Sequence, residues 1–185
     1  APALSSLEGK FVFAETPKWL GEQAMREVYH AGLFAYLEDS VFVNKIKRDP
    51  ALGTYKQEFA TATKNLKKLA DSGVTIAFGS GSGLPNTFAG YFEHHELELM
   101  VAAGLSPSAA IKAASTSSAA ALGASDLGTL AAGKKANFMI VTNNPLDNIA
   151  NTKGIDDIFI NGMKVDRQDL KRNSQFKVHK VNYFQ

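Results

Sequence analysis

Residues Val74 to Phe78 read Val-Thr-Ile-Ala-Phe, an apolar run broken only by Thr75, and the chain then enters Gly79-Ser80-Gly81-Ser82-Gly83. A β-rich run without polar alternation suits a strand covered on both faces, as in a parallel sheet, rather than a half-exposed antiparallel strand. Parallel strands need helical crossovers, so the run constrains the whole chain toward β/α architecture. The glycine loop falls at the carboxyl end of this strand, the edge where open α/β sheets and β/α barrels place their chemistry. Ser80, Gly81 and Ser82 are therefore candidate substrate-loop residues, although the loop holds no carboxylate, imidazole, thiol or amine.

The flanking pattern agrees. Gly9 to Ala14 reads as a short strand ended by Thr16-Pro17, and a helical pattern follows through Trp19, Leu20, Met25, Val28, Tyr29, Leu33, Tyr36 and Leu37. Lys45 to Gly53, with Asp49-Pro50, is a break. A second amphipathic helix opens at Thr54, carries Phe59, Thr63, Leu66 and Leu69 on one face, and closes at Gly73. After the loop and the segment LPNTFAG, a helix is predicted over Glu93 to Ala103 with Gly104 as its C′ residue. Ser106 then caps the next helix, with Pro107 at its first position, and Gly123 ends it. From Asp126 the character changes to short strands near Asn137 to Thr142 and Ile155 to Ile160, the latter followed by the hairpin signal Asn161-Gly162. The expected division is a partial β/α barrel over 1–125 and a C-terminal β appendage with a basic tail over 126–185.

Charge and composition exclude several classes. The 185 residues carry 20 basic and 18 acidic side chains, a net +2, which offers no basic stripe for nucleic acid or an anionic membrane. The small surplus gathers at Lys164, Arg167, Lys171, Arg172, Lys177, His179 and Lys180, the pattern of a solvated tail. With no cysteine there is no disulfide, thiolate site or cysteine nucleophile, and the compartment, cytoplasmic or periplasmic, stays open. No apolar run approaches the roughly 18 residues that span a bilayer. The start, Ala1-Pro2-Ala3-Leu4, reads as a chain whose beginning lies elsewhere.

Six ordered motifs coincide: GVTIAFGSGSG, HHELELMVAAGLSP, AASTSSAAALG, LGTLAAGKKANFMIV, NPL and IDDIFINGMKV. Together, over roughly residues 60 to 167, they resemble the C-terminal part of the amidohydrolase superfamily, most closely its imidazolonepropionase-like and prolidase-like metal-dependent hydrolases. GKFVFAETPKWL is similar to that family's seventh barrel strand and following loop. The resemblance implies a (β/α)8 barrel with an appended β-sandwich, of which this chain holds the last two β/α units and part of the sandwich. It also implies zinc or another divalent metal in the complete enzyme, a small-molecule substrate, and a metal-bound water attacking a carbonyl carbon. An aspartate after the eighth strand would bind metal and move the proton, but here Gly81 stands in its place, with Ser80 for the preceding threonine. Asn137 replaces another family aspartate, a change expected to affect a structural hydrogen bond rather than catalysis.

The metal ligands implied by the resemblance are missing too, since none of His30, His94, His95 and His179 makes a His-x-His motif. No cofactor is expected in this chain, and two β/α units would leave open strand edges to be covered by self-association or by a missing N-terminal barrel portion. His94 is the one weak metal candidate. Glu93 and Glu96 suit the positive end of a helix dipole, His95 the surface and His30 a helix flank. Glu15 and Thr16 lie at the correct edge to touch a substrate, whereas Asp71 precedes the strand at the opposite face. The glycine loop also admits an anion cradle of backbone N–H groups, although it lacks the P-loop lysine. Two function classes follow: an amidohydrolase-like hydrolase portion acting on non-peptide carbon–nitrogen bonds and inactive as this chain, or a non-catalytic binding or assembly module that retains the fold.

Overall fold

The computed structural model describes residues 1–83 and 86–173. Its helices are α1 (Leu4–Glu8), α2 (Gln23–Val28), α3 (Ala31–Leu37), α4 (Ser40–Lys47), α5 (Leu52–Asp71), α6 (Phe92–Ala102), α7 (Pro107–Lys112), α8 (Ser118–Ala121) and α9 (Arg167–Asn173). A three-stranded antiparallel sheet, in the order β1 (Phe138–Val141), β2 (Ile155–Ile160), β3 (Met163–Lys164), forms the appendage.

The first expected strand is not one. Gly9 to Ala14 follows α1 and tightens into a 3₁₀ turn at Val12–Ala14, which buries Phe13 and Ala14 among aromatic side chains. Val74 to Phe78 is extended, yet among the described residues it pairs with no strand. Without a neighbour it is not covered on both faces: Val74 stays 48% exposed and Thr75 is open, while Ile76 and Phe78 pack partly into the core. The Phe78 N–H is instead held by Ser118 Oγ at 2.9 Å, and Ser118 in turn donates to the Ala113 carbonyl. A π-helical turn at Ala113–Ser117 places Ser118 for this contact, the kind of local widening that lets a side chain reach outside its own helix.

Other boundaries moved for local reasons. The helical pattern after Pro17 is cut into a 3₁₀ turn, α2 and α3, and His30 caps α3 by accepting the Gly32 N–H at Nδ1. Asp39 caps α4, which extends through Lys45 to Lys47, so the predicted break begins only at Arg48. On α5, Leu66 is buried but Leu69 is 47% exposed. The helix grammar around α6 and α7 holds. Gly104 (φ +104°) and Leu105 donate to the carbonyls of Val101 and Met100, and Ser106 Oγ accepts the Ala109 N–H with Pro107 in the first turn. In the sheet, Asn161 (φ +51°) and Gly162 (φ +78°) form the tight turn between β2 and β3. Asn137 Oδ1 accepts the Asn161 N–H at 2.7 Å, the structural hydrogen bond expected of that position.

Helix α6 joins the two halves of the core. Its first turn puts Phe92 into an aromatic cluster with Phe13, Trp19, Phe88 and Tyr91. Its later turns put Leu97 and Met100 against Leu4, Leu66, Leu105 and Ile149, the last from the turn preceding β2. Of the basic tail, Arg167 donates to the Ile155 carbonyl and Arg172 pairs with Asp169, while Lys177, His179 and Lys180 lie outside the described residues.

Candidate functional site

The glycine loop leaves the end of Val74–Phe78 and is tied down from three directions. Ser5 Oγ donates to the Ser80 carbonyl at 2.8 Å, and Thr87 Oγ1 donates to the Gly81 carbonyl at 3.2 Å. Ser80 Oγ donates to Glu93 Oε1 at 3.2 Å, and Glu93 Oε2 accepts the Gly90 N–H at 2.6 Å. Ser80 and Ser82 hydroxyls are 2.8 Å apart. Ser80 is buried and Ser82 half-buried. The carboxylate absent from the loop in sequence is thus supplied by the first turn of α6. Glu93 does sit where a helix dipole favours negative charge, but the hydroxyl contact was invisible without the fold.

Gly81 has φ +69°, a left-handed conformation that aspartate tolerates better than most L residues. The anion-cradle reading does not survive: α6 starts at Phe92 rather than at the loop, the Ser82 N–H is already donated to Ser80 Oγ, and the Glu93 carboxylate would repel an anion. Thr16 and Glu15 are exposed, with Glu15 4.0 Å from Lys56, and among the described residues no hydrogen bond links either to the loop. Asp71 ends α5 in an exposed pair with Lys67.

Glu96 does not serve its own helix. Fully buried, it accepts the N–H groups of Leu4 at 2.9 Å and Ser5 at 2.6 Å, capping α1. Burial pushes its carboxyl up, against the pull of the Ser5 and Leu4 donors. Because Ser5 holds the Ser80 carbonyl, Glu93 and Glu96, one turn apart on α6, both reach the glycine loop, one directly and one through α1.

His95, expected at the surface, is buried against Trp19, Tyr91 and Phe92. Its Nε2 meets Glu8 at 2.5 Å, and Nδ1 faces Glu98 at 3.6 Å, an electrostatic contact longer than a hydrogen bond. Lys153, from the turn before β2, pairs with Glu98 at 2.8 Å and Glu22 at 2.9 Å and lies over the Tyr91 ring. Burial works against the imidazolium, but Glu8 and Glu98 outweigh it and raise its pKa from 6.5 to about 9. A raised folded-state value means that this stabilisation is complete below about pH 6.5 and is lost as pH rises through about 9. Urea midpoints should therefore fall between pH 7 and 10, and His95→Gln should remove that slope; a flat profile in the parent chain would count against the charged pair.

His94 donates to or accepts from Thr152 Oγ1 at 3.0 Å, and burial followed by the Lys153 charge lowers its pKa. Neither histidine has companion ligands: among the described residues no group of three or more histidines or carboxylates could hold a metal ion.

The sequence profile of the amidohydrolase family matches residues 27–165. The chain belongs to the amidohydrolase family. This amidohydrolase chain is similar in structure to a Xaa-Pro dipeptidase with methionine bound in its active site, at 19% identity and TM-score 0.61, over 89% of this chain and 34% of that one. It is similar to phenylurea hydrolase B at 28% identity and TM-score 0.57, over 65% of this chain and 29% of that one. A third likeness is to molinate hydrolase, at 23% identity and TM-score 0.53, over 59% and 27%. The amidohydrolase chain thus spans about a third of the length of these structures, which place it in a β/α-barrel family. A comparison with curated proteins finds no match. The family is generally metal-dependent, but the donors present here, His94 on Thr152 and His95 between carboxylates, with glycine at 81, do not fit a metal. No helix among the described residues is long and apolar enough to cross a membrane.

Proposed function

We propose that the chain is the C-terminal portion of an amidohydrolase-like hydrolase acting on non-peptide carbon–nitrogen bonds, comprising the last two β/α units (1–125) and part of the appended sandwich (126–185), and that it lacks the family's metal-dependent activity on its own. The observation that carries this reading is the family match over residues 27–165 in a chain spanning about a third of its structural relatives. The likeness to phenylurea hydrolase B supports a carbon–nitrogen bond as the target class. Gly81, which has no side chain to bind metal or take up a proton, supports the loss of activity. It equally favours the second reading, a non-catalytic binding or assembly module that kept the fold.

The unpaired segment at Val74 supports association with a second copy or with the missing barrel portion. Beside it runs an open groove of about 470 Å³ lined by Val74, Ile76, Leu105 and Ala120. Native mass spectrometry with elemental analysis, followed by assays on a phenylurea and a dipeptide, tests these points together. The expected result is a metal-free oligomer without turnover. Stoichiometric metal with hydrolysis would overturn the inactive reading, and tight binding of a small ligand without turnover would favour the binding module.

A further inference from the structure

We propose that Ser82, Ser80 and Glu93 form a directed proton relay that makes the Ser82 hydroxyl a nucleophile toward small acyl esters, independent of any metal. The direction follows from valence. A serine hydroxyl has one proton and two lone pairs, and a carboxylate only accepts. Ser80 Oγ gives its proton to Glu93 Oε1 at 3.2 Å, so the 2.8 Å contact between the two hydroxyls must be donated by Ser82. The Ser82 N–H, at 3.2 Å, fills the other lone pair of Ser80 Oγ. Ser80 is therefore saturated and buried, whereas Ser82 Oγ donates inward and has no intramolecular donor to its lone pairs among the described residues. Ser82 is also the half-buried member of the pair, so it is the one a ligand can reach.

The relay is held rigidly at both ends. Glu93 is fixed by the Gly90 N–H at 2.6 Å, and the Ser80 backbone by Ser5, itself fully buried and fixed by Glu96. In the reaction, Ser82 Oγ bonds to the acyl carbon, its proton passes to Ser80, and the Ser80 proton passes to Glu93. The ester C–O bond then breaks and the leaving alkoxide recovers a proton through the same relay, giving an alcohol and an acyl-serine. Water hydrolyses the acyl-serine by the reverse transfers, releasing a carboxylic acid and restoring Ser82. The three groups come from the loop after Val74–Phe78 and from the first turn of α6, the chemical edge of this fold family, but use none of its metal-binding positions.

An alkyl fluorophosphonate probe on the purified full chain tests the assignment, with intact mass and peptide mapping as readout. One adduct is expected, on Ser82, and none in Ser82→Ala. Glu93→Gln keeps an oxygen for the Ser80 hydroxyl but cannot take up its proton, so labelling should slow at least about tenfold while the unfolding midpoint is retained. Ser80→Ala, which leaves the Glu93–Gly90 contact intact, should slow it similarly and serves if Glu93→Gln does not fold. No adduct, adducts scattered over surface hydroxyls, or Glu93→Gln and Ser80→Ala labelling as fast as the parent chain would overturn the proposal.

Discussion

Truncation of Phe92 to alanine is expected to lower the unfolding free energy by about 4 kcal/mol, the range found for deleting a buried aromatic ring. Phe92 is fully buried, with its ring edge-on to Trp19 at 5.2 Å and Phe88 at 5.4 Å and packed against His95 at 5.4 Å. The void would open where the first turn of α6 meets the 3₁₀ turns of Phe13 and Trp19, with only Tyr91 and Phe88 able to move in. Urea denaturation of the parent and Phe92→Ala chains reads the difference. Leu122→Ala, at a side chain 82% exposed, should shift the same curve by less than about 0.5 kcal/mol. Equal losses at the two positions would mean that the aromatic cluster is not the core it is taken to be.

Replacement of Glu96 by leucine is expected to destabilise the chain by about 3 kcal/mol, although it swaps a buried charge for an apolar side chain. Both carboxylate oxygens are engaged, by the backbone N–H groups of Leu4 and Ser5, and both of those residues are fully buried. Leucine would leave two donors away from water without acceptors, at about 1–3 kcal/mol each. Burial of the carboxyl offsets part of the gain, which is why the figure sits at the low end of the sum. Amide hydrogen exchange locates the effect: protection should fall at Leu4 and Ser5 and, through the Ser5 hydroxyl, at Ser80 to Ser82, while β1 and β2 keep theirs. Uniform loss of protection would indicate a global effect rather than the loss of this cap.

The helix ends and turns were the most legible features because their signals are local. Ser106-Pro107, Gly104 and Asn161-Gly162 act through bonds within a few residues, and each does what its position predicts. The family, too, could be read from ordered motifs before any coordinate. The strand at Gly9 to Ala14 could not be read correctly, because a strand exists only through a partner. Without one, Phe11, Val12 and Phe13 bury their rings and branches through a 3₁₀ turn instead. Val74 to Phe78 shows the intermediate case: apolar enough to be extended and partly packed, but unpaired, with Ser118 satisfying one of its N–H groups.

The candidate site divides along the same line. Sequence alone marked Ser80, Gly81 and Ser82 as the functional loop, because a glycine-rich turn at the carboxyl end of an apolar run is a local pattern, and it marked position 81 as lacking an acid. It placed His95 at the surface and assigned Glu93 and Glu96 to a helix dipole, since the i,i+3 spacing of α6 says which side chains share a face but not what lies opposite. Only the tertiary structure decided that Glu93 meets the Ser80 hydroxyl, that Glu96 caps α1 from a distance of some ninety residues, and that His95 is enclosed by Glu8 and Glu98. The physical reason is that caps, turns and apolar periodicity are short-range properties of the chain, whereas the partner of a buried carboxylate or imidazole is fixed by packing between segments far apart in sequence.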